Sequence, residues 1–215
     1  EDFKLVGSSS SRTSKFIKRY LHKRGLSQSD LFKFKIGYSF EYEFTNRIIF
    51  PSFDNNLELN FYVSRICNEE ENIKYGKYKN CDGSKKDIIY NEHQIDWDLP
   101  IVVVEGIFDS VKAGTNSVPI LGSWLDQSYH LFREIVDKKS DVVLCLDPDA
   151  KNKEIKIAQK LFEYGVNVKI AGRTEEDLGA MDKKEVKILI DNAKPFDNIK
   201  RMRYLISGIK SGSMY

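Results

Sequence analysis

The chain has 215 residues, of which 41% are hydrophobic and 12% aromatic, as in a soluble globular protein with one large domain or two small ones. Its formal net charge of +2 points to no partner by itself. Cys67, Cys81 and Cys145 include no C-x-x-C, and with His93 they match no common zinc spacing, so a disulfide framework and a zinc ribbon in this chain are both disfavoured.

Residues 1–13 contain "GSSSS" and read as a flexible lead-in. "SKFIKRYLHKRG" has helical periodicity and stops at Gly25. "SQSDLFKF" opens a second short helix, with Ser27 as N-cap and Asp30 as its box partner. "RIIFPSFD" and "LELNFYVSRIC" read as two strands joined through a turn at "NN", and Pro51 places the first at an edge or a bulge. The polar stretch that follows, to about Glu92, reads as loops and short strands.

After Trp97 four apolar runs, "IVVV", "SVPILG", "DVVLCLD" and "VNVKIAG", are each followed by a helical pattern. This alternation predicts an α/β domain with a four-stranded parallel sheet and helical crossovers. The predicted organisation is therefore a lead-in (1–13), an α+β subdomain (14–97), an α/β domain of Rossmann-like type (98–195) and a basic carboxyl-terminal tail (196–215). From Arg12 to Lys35 the only acid is Asp30, and the tail is basic again. Basic walls beside an acidic centre suit a polyanion handled with metal ions.

The acids fall at strand ends. In open α/β sheets ligands bind beyond the carboxyl ends of the strands, where strand order reverses. The first run ends at Glu105, with Asp109 one helical turn on; the third ends in Asp147 and Asp149; the fourth leads to Glu176 and Asp177. If the first and third strands are neighbours, these carboxylates converge. Crowded carboxylates repel unless protonated or neutralised, and a divalent ion with oxygen ligands neutralises them. Strand alternation predicts Asp147 and Asp149 on one side, and Gly106 predicts close approach of a nucleotide or a metal-bound water. Such a site suits phosphoryl or nucleotidyl transfer. No Walker-type G-x-x-x-x-G-K-[ST] and no G-x-S-x-G occurs, which excludes a P-loop ATPase and a serine hydrolase of that type.

The conjunction of E-G-x-x-D, D-x-D and a later acid is similar to the Toprim domain of primases, topoisomerases and some nucleases. The preceding "YLHKRGLSQSDLFKFKIGYS", "RIIFPSFDNNLELNFYVSR" and "KYGKYKNCDGSKKDIIYNE" resemble the amino-terminal subdomain of bacterial and phage DNA primase catalytic cores. The resemblance covers about residues 15 to 194. It implies an enzyme that makes short RNA primers on single-stranded DNA from NTPs. Glu105, Asp147 and Asp149 would be catalytic and would hold Mg²⁺ or Mn²⁺, in more than one ion, with Asp109 and Asp177. Arg47, Arg65, Lys77, Asn80 and Lys86 would line the groove for nucleotide, template and RNA–DNA hybrid, and Tyr75 and Tyr78 offer stacking surfaces. Two departures stand out: Gly179 replaces a second acid, so the resemblance does not supply one outer ligand, and Ser64 replaces a Gly.

A replicative helicase and a zinc-binding module, in cis upstream or in trans, are the implied partners. A first residue other than Met suits a fragment, and abundant Lys, Asn, Ile and Phe suit a phage with an AT-rich genome. With no transmembrane-length run and no signal peptide, the expected compartment is a bacterial or phage-infected cytoplasm, away from membranes. The alternatives are a Toprim nuclease and a non-catalytic DNA-binding module.

Overall fold

The computed structural model describes residues 2–68, 76–114, 116–122, 124–172 and 176–211, which form two five-stranded sheets and the helices around them. The first sheet is antiparallel, in the order β1 (Lys4–Leu5), β2 (Gly37–Tyr38), β3 (Arg47–Phe53), β4 (Leu59–Ile66), β5 (Tyr78–Asn80). Helices α1 (Arg12–Lys23) and α2 (Gln28–Lys33) lie between β1 and β2 in sequence. Gly25 follows α1 at φ +80°, a conformation that glycine adopts without a Cβ penalty. Ser27 and Asp30 form the expected capping box on α2. β3 is flanked by β2 and β4, and its register shifts at Ser52/Phe53, just past Pro51. Beyond the reach of β2, residues 90–93 cover β3: Tyr90 donates its hydroxyl to Pro51 O and Asn91 Oδ1 accepts from Phe53 N.

The second sheet has the order β10 (Lys194–Pro195), β9 (Val168–Ile170), β8 (Val142–Cys145), β6 (Ile101–Val104), β7 (Ser117–Pro119). The last four are parallel, and β10 adds an antiparallel edge to the expected parallel set. Ile101 and Val103 face one apolar cluster with Phe132, Ile135, Ile157 and Leu161, from α4 (His130–Lys138) and α5 (Lys151–Glu163). Val102 and Val104 face a second cluster with Val186 of α6 (Lys183–Asp191). Burial on both faces is why "IVVV" is continuously apolar rather than alternating. The chain passes from β6 outward to β7, then back across β6 to β8, so strand order reverses between β6 and β8. Helix α3 (Ile107–Ala113) follows β6 at that reversal.

Two expectations about the ends are corrected. The supposed flexible lead-in is part of the fold: β1 pairs with β2, Val6 is fully buried, and Ser9 and Ser11 bond the Tyr38 hydroxyl at 2.9 and 2.8 Å. Ser11 also caps α1, so the serine run supplies hydrogen bonds to specific partners rather than slack. The supposed tail begins with Phe196, which is buried edge-on to Phe162, and continues as helix α7 (Asn198–Ser211). No helix among the described residues is long and apolar enough to cross a membrane.

The two halves share one core cluster, in which Phe50 of β3 meets Phe108 of α3 edge-on at 5.1 Å. They are also joined by an ion pair between Asp30 of α2 and Lys183 of α6. Burial opposes ionisation of Asp30, but hydrogen bonds from Lys183 and Ser27 outweigh it and hold its pKa below the ordinary carboxylate value. A lowered pKa means that the contribution to stability is present at neutral pH and is lost as pH falls through the folded-state value. Asp30→Ala is therefore expected to cost about 2 kcal/mol at pH 7, from the lost cap and ion pair. The cost should shrink in denaturant titrations below pH ~4; a cost independent of pH would contradict the assignment.

Candidate active site

Glu105 leaves the end of β6 and Asp147 leaves the end of β8, two residues past Cys145, so adjacent strands at the order reversal deliver both. Pro148–Ala150 then form a 3-10 turn that carries Asp149. This turn, not strand alternation, brings the two aspartates together. Glu105, Asp147 and Asp149 each offer an oxygen, and these oxygens lie within 4.8 Å of one another. Glu105 Oε2 and Asp147 Oδ1 are buried without a hydrogen-bond partner, whereas Glu105 Oε1 accepts from Lys153 Nζ at 2.8 Å. Burial, followed by the charges of Asp109, Glu105, Asp177 and Asp149, pushes Asp147 up to about 7. Oxygen donors left without partners and a carboxyl that resists ionisation fit a hard cation such as Mg²⁺ or Mn²⁺.

Asp109 and Asp177 line the same cleft but stand outside this group of three. Asp109 Oδ2 accepts from Gly106 N at 2.7 Å, which ties it to the start of α3. Its pKa rises to about 6, chiefly through burial, opposed by the Gly106 N–H and reinforced by Glu105 and Asp177. Gly106 has an ordinary extended backbone, and a Cβ there would lie 3.0 Å from Asp109 Oδ2. The close approach at Gly106 is thus by the chain's own carboxylate. A Cβ on Gly179 would lie 3.1 Å from Asp109 Oδ1, so an acid at that position would crowd Asp109. The backbone around Asp177 is held by buried Lys112, which donates to Gly179 O and Met181 O.

Opposite the acids, the antiparallel half presents a basic and aromatic wall across a cleft of about 1070 Å³. Phe16, Arg19, Tyr20, Lys23 and Arg24 share one face of α1 and its end, and Arg65, Lys77, Tyr78, Asn80 and Lys85 come from β4, β5 and the loops beside them. Arg65 is cross-strand from Tyr78, lies 5.0 Å over its ring and 5.2 Å over that of Phe108, and donates through Nε to the Tyr20 hydroxyl at 3.0 Å. Arg24 lies 5.0 Å over Phe108. These contacts fix two guanidiniums before any ligand arrives. Asn80 Oδ1 is buried without a hydrogen-bond partner on the same wall.

Arg65, Lys77, Asn80 and Gly106 therefore line the cleft, but two groove residues expected from the sequence do not. Arg47 is 4% exposed in β3 and donates to Gly76 O at 3.1 Å, and burial lowers its pKa. Lys86 lies 5.6 Å over the Tyr129 ring, and it is Lys85 that reaches the cleft. Tyr75 lies outside the described residues. Sequence reasoning missed Phe16, Arg19, Lys23 and Arg24, although their helical spacing beside a basic run was the signal that could have found them. It also missed Lys153, 48 residues from its partner Glu105.

The fold is similar to that of solved DnaG primase catalytic cores. The chain is similar to the DnaG primase catalytic domain solved with single-stranded DNA (TM-score 0.68, 17% identity, 86% of this chain and 74% of that one). It is also similar to the zinc-binding and RNA polymerase domains of Aquifex aeolicus primase (TM-score 0.71, 19% identity, 87% and 57%). A DNA primase domain from Pseudomonas aeruginosa gives TM-score 0.70 at 19% identity, over 97% and 80%. No family model and no curated protein matches the sequence.

Because the pKa of Asp147 is raised, its contribution to stability is present in acid and is lost as pH rises through about 7. In metal-free protein, Asp147→Asn should raise Tm at pH 8 and change it little at pH 4. Mg²⁺ should raise the Tm of the parent protein at pH 8 and not that of the variant. Equal Mg²⁺ shifts in both proteins would contradict the site.

Proposed function

We propose that the chain is the catalytic core of a DNA primase, a DNA-directed RNA polymerase that makes short RNA primers on single-stranded DNA from NTPs. The observation that carries this reading is the pairing of an acidic rim with a basic, aromatic wall across one cleft. The first suits triphosphate chemistry, the second suits a nucleic-acid strand, and the cleft keeps them within reach of each other.

Glu105, Asp147 and Asp149 would hold Mg²⁺ or Mn²⁺, and Asp177 and Asp109 shape the electrostatics from just outside. When bound, the metal neutralises the charge that develops on the phosphates and lowers the pKa of the attacking hydroxyl. The residues of the chain do the positioning. Arg65 and Arg24, held by aromatic rings, present guanidiniums to phosphate oxygens. Lys77, Lys85, Arg19 and Lys23 neutralise the strand's backbone, independently of its sequence. Phe16 is 50% exposed and Tyr78 43% exposed in the cleft, and each offers a ring for a base to stack on. Asn80 supplies a polar atom that a nucleotide can satisfy. The neighbour solved with single-stranded DNA supports this choice of template. A helicase and a zinc-binding module remain part of the proposal, as the components that would place the core on its start sites, in a bacterial or phage-infected cytoplasm.

Incubation with all four NTPs, Mg²⁺ or Mn²⁺ and a mixed-sequence single-stranded template should yield RNA oligomers. Asp147→Ala should lower synthesis by roughly 10²-fold or more, while single-stranded DNA binding stays equal or tightens. Degradation of the DNA without NTPs would instead identify a Toprim nuclease. Binding without either reaction, with helicase and zinc module supplied, would identify a non-catalytic module. Phe16→Ala should weaken oligo(dT) binding roughly 5- to 100-fold, with little change in its salt dependence. A reduced salt slope with unchanged affinity at low salt would contradict stacking.

A further inference from the structure

The acidic rim carries a cation of its own. Lys153 sits in the first turn of α5, the helix after the Asp147–Asp149 turn, and its Nζ donates to Glu105 Oε1 at 2.8 Å. Its side chain is only 15% exposed. An ammonium so withdrawn from water needs a carboxylate facing it, and Glu105 is that carboxylate. The contact runs from the helix that follows β8 to the residue that ends β6, across the reversal in strand order.

This pairing divides Glu105 into two unequal oxygens. Oε1 is taken by Lys153, while Oε2 is buried with no hydrogen-bond partner, as is Asp147 Oδ1. These two oxygens are unpartnered on residues that, with Asp149, bring carboxylate oxygens within 4.8 Å of one another. A second ion bound through Oε1 would have to compete with the ammonium for that oxygen. The surrounding acids do not make up the difference. Asp109 is held by the Gly106 N–H, and position 179 carries a glycine pressed against Asp109 instead of another carboxylate.

We propose that Lys153 is a positioning residue and a built-in counter-ion: it orients Glu105 through Oε1 and stands in for a second divalent ion, so that the rim holds one ion tightly. This rests on the metal-centre reading given above. The ammonium adds one fixed positive charge where a second divalent ion would add two, and it leaves the other oxygen of Glu105 without a hydrogen-bond partner, as one that could hold the remaining ion.

The test is a count of tightly bound Mn²⁺ on the full chain at pH 7.5, from the electron paramagnetic resonance signal of free Mn²⁺. The parent protein and Lys153→Arg should each bind one ion. Lys153→Met and Lys153→Gln, two neutral variants checked for folding by circular dichroism, should bind two. The first ion should also be held ~10-fold tighter, since a nearby positive charge has been removed. Two tight ions in the parent, or one ion at unchanged affinity in both neutral variants, would overturn the role of Lys153 and leave the metal centre standing. No Mn²⁺ on any of the four proteins would overturn the metal centre itself, and the counter-ion with it.

Discussion

Repulsion between carboxylates is the constraint around which this fold is organised. Glu105, Asp147 and Asp149 are held with oxygens within 4.8 Å of one another, a spacing at which each pair of full charges costs roughly 3–4 kcal/mol at an effective dielectric near 20. Loops alone would let such groups spread apart. Here the first two are fixed by adjacent parallel strands, whose registry pairs Val104 with Cys145, and the third by the turn that starts at Pro148. The apolar packing on both faces of β6 and β8 supplies the rigidity that the rim itself lacks. What the chain does to relieve the repulsion is visible in three places: a raised pKa at Asp147, an N–H clamp on Asp109, and an ammonium on Glu105.

The antiparallel half answers the rim with charge of the opposite sign, and the two halves share one apolar core behind the cleft. Phe108 is central to this. It belongs to the helix that begins beside Glu105, yet it packs on Phe50 of the other sheet and lies beneath both Arg24 and Arg65. One side chain therefore ties the acidic centre, the shared core and the cationic wall together. The Asp30–Lys183 pair adds a second tie between the halves, and the bonds of Lys112 to the backbone near Asp177 brace the parallel half beside it.

The parallel half was legible because its signal is local: four apolar runs, each followed by a helical period, and acids at the ends of three of them. Whether Glu105 and Asp147 actually meet depends on strand order, which periodicity does not encode; only the reversal between β6 and β8 brings them together. Other misses have equally physical reasons. The serines near the amino terminus look like slack in composition, but their hydroxyls have defined partners in Tyr38 and the first turn of α1. Lys85 and Lys86 are indistinguishable as residues, yet neighbours in a loop face different ways, and only the first reaches the cleft. Arg47 matched the groove pattern by type and spacing, but its strand turns it inward, onto the Gly76 carbonyl. Lys153 could not be linked to Glu105 from spacing along the chain, because the contact exists only once two strands lie side by side.

The claim on which all of this depends is that the rim exists to grip a divalent ion. Anomalous scattering from crystals soaked in Mn²⁺ tests it most directly. A manganese peak is expected in contact with the carboxylates of Glu105, Asp147 and Asp149, with the Lys153–Glu105 pair still in place. Crystals that bind nucleotide in the cleft but show no manganese at that rim would contradict it.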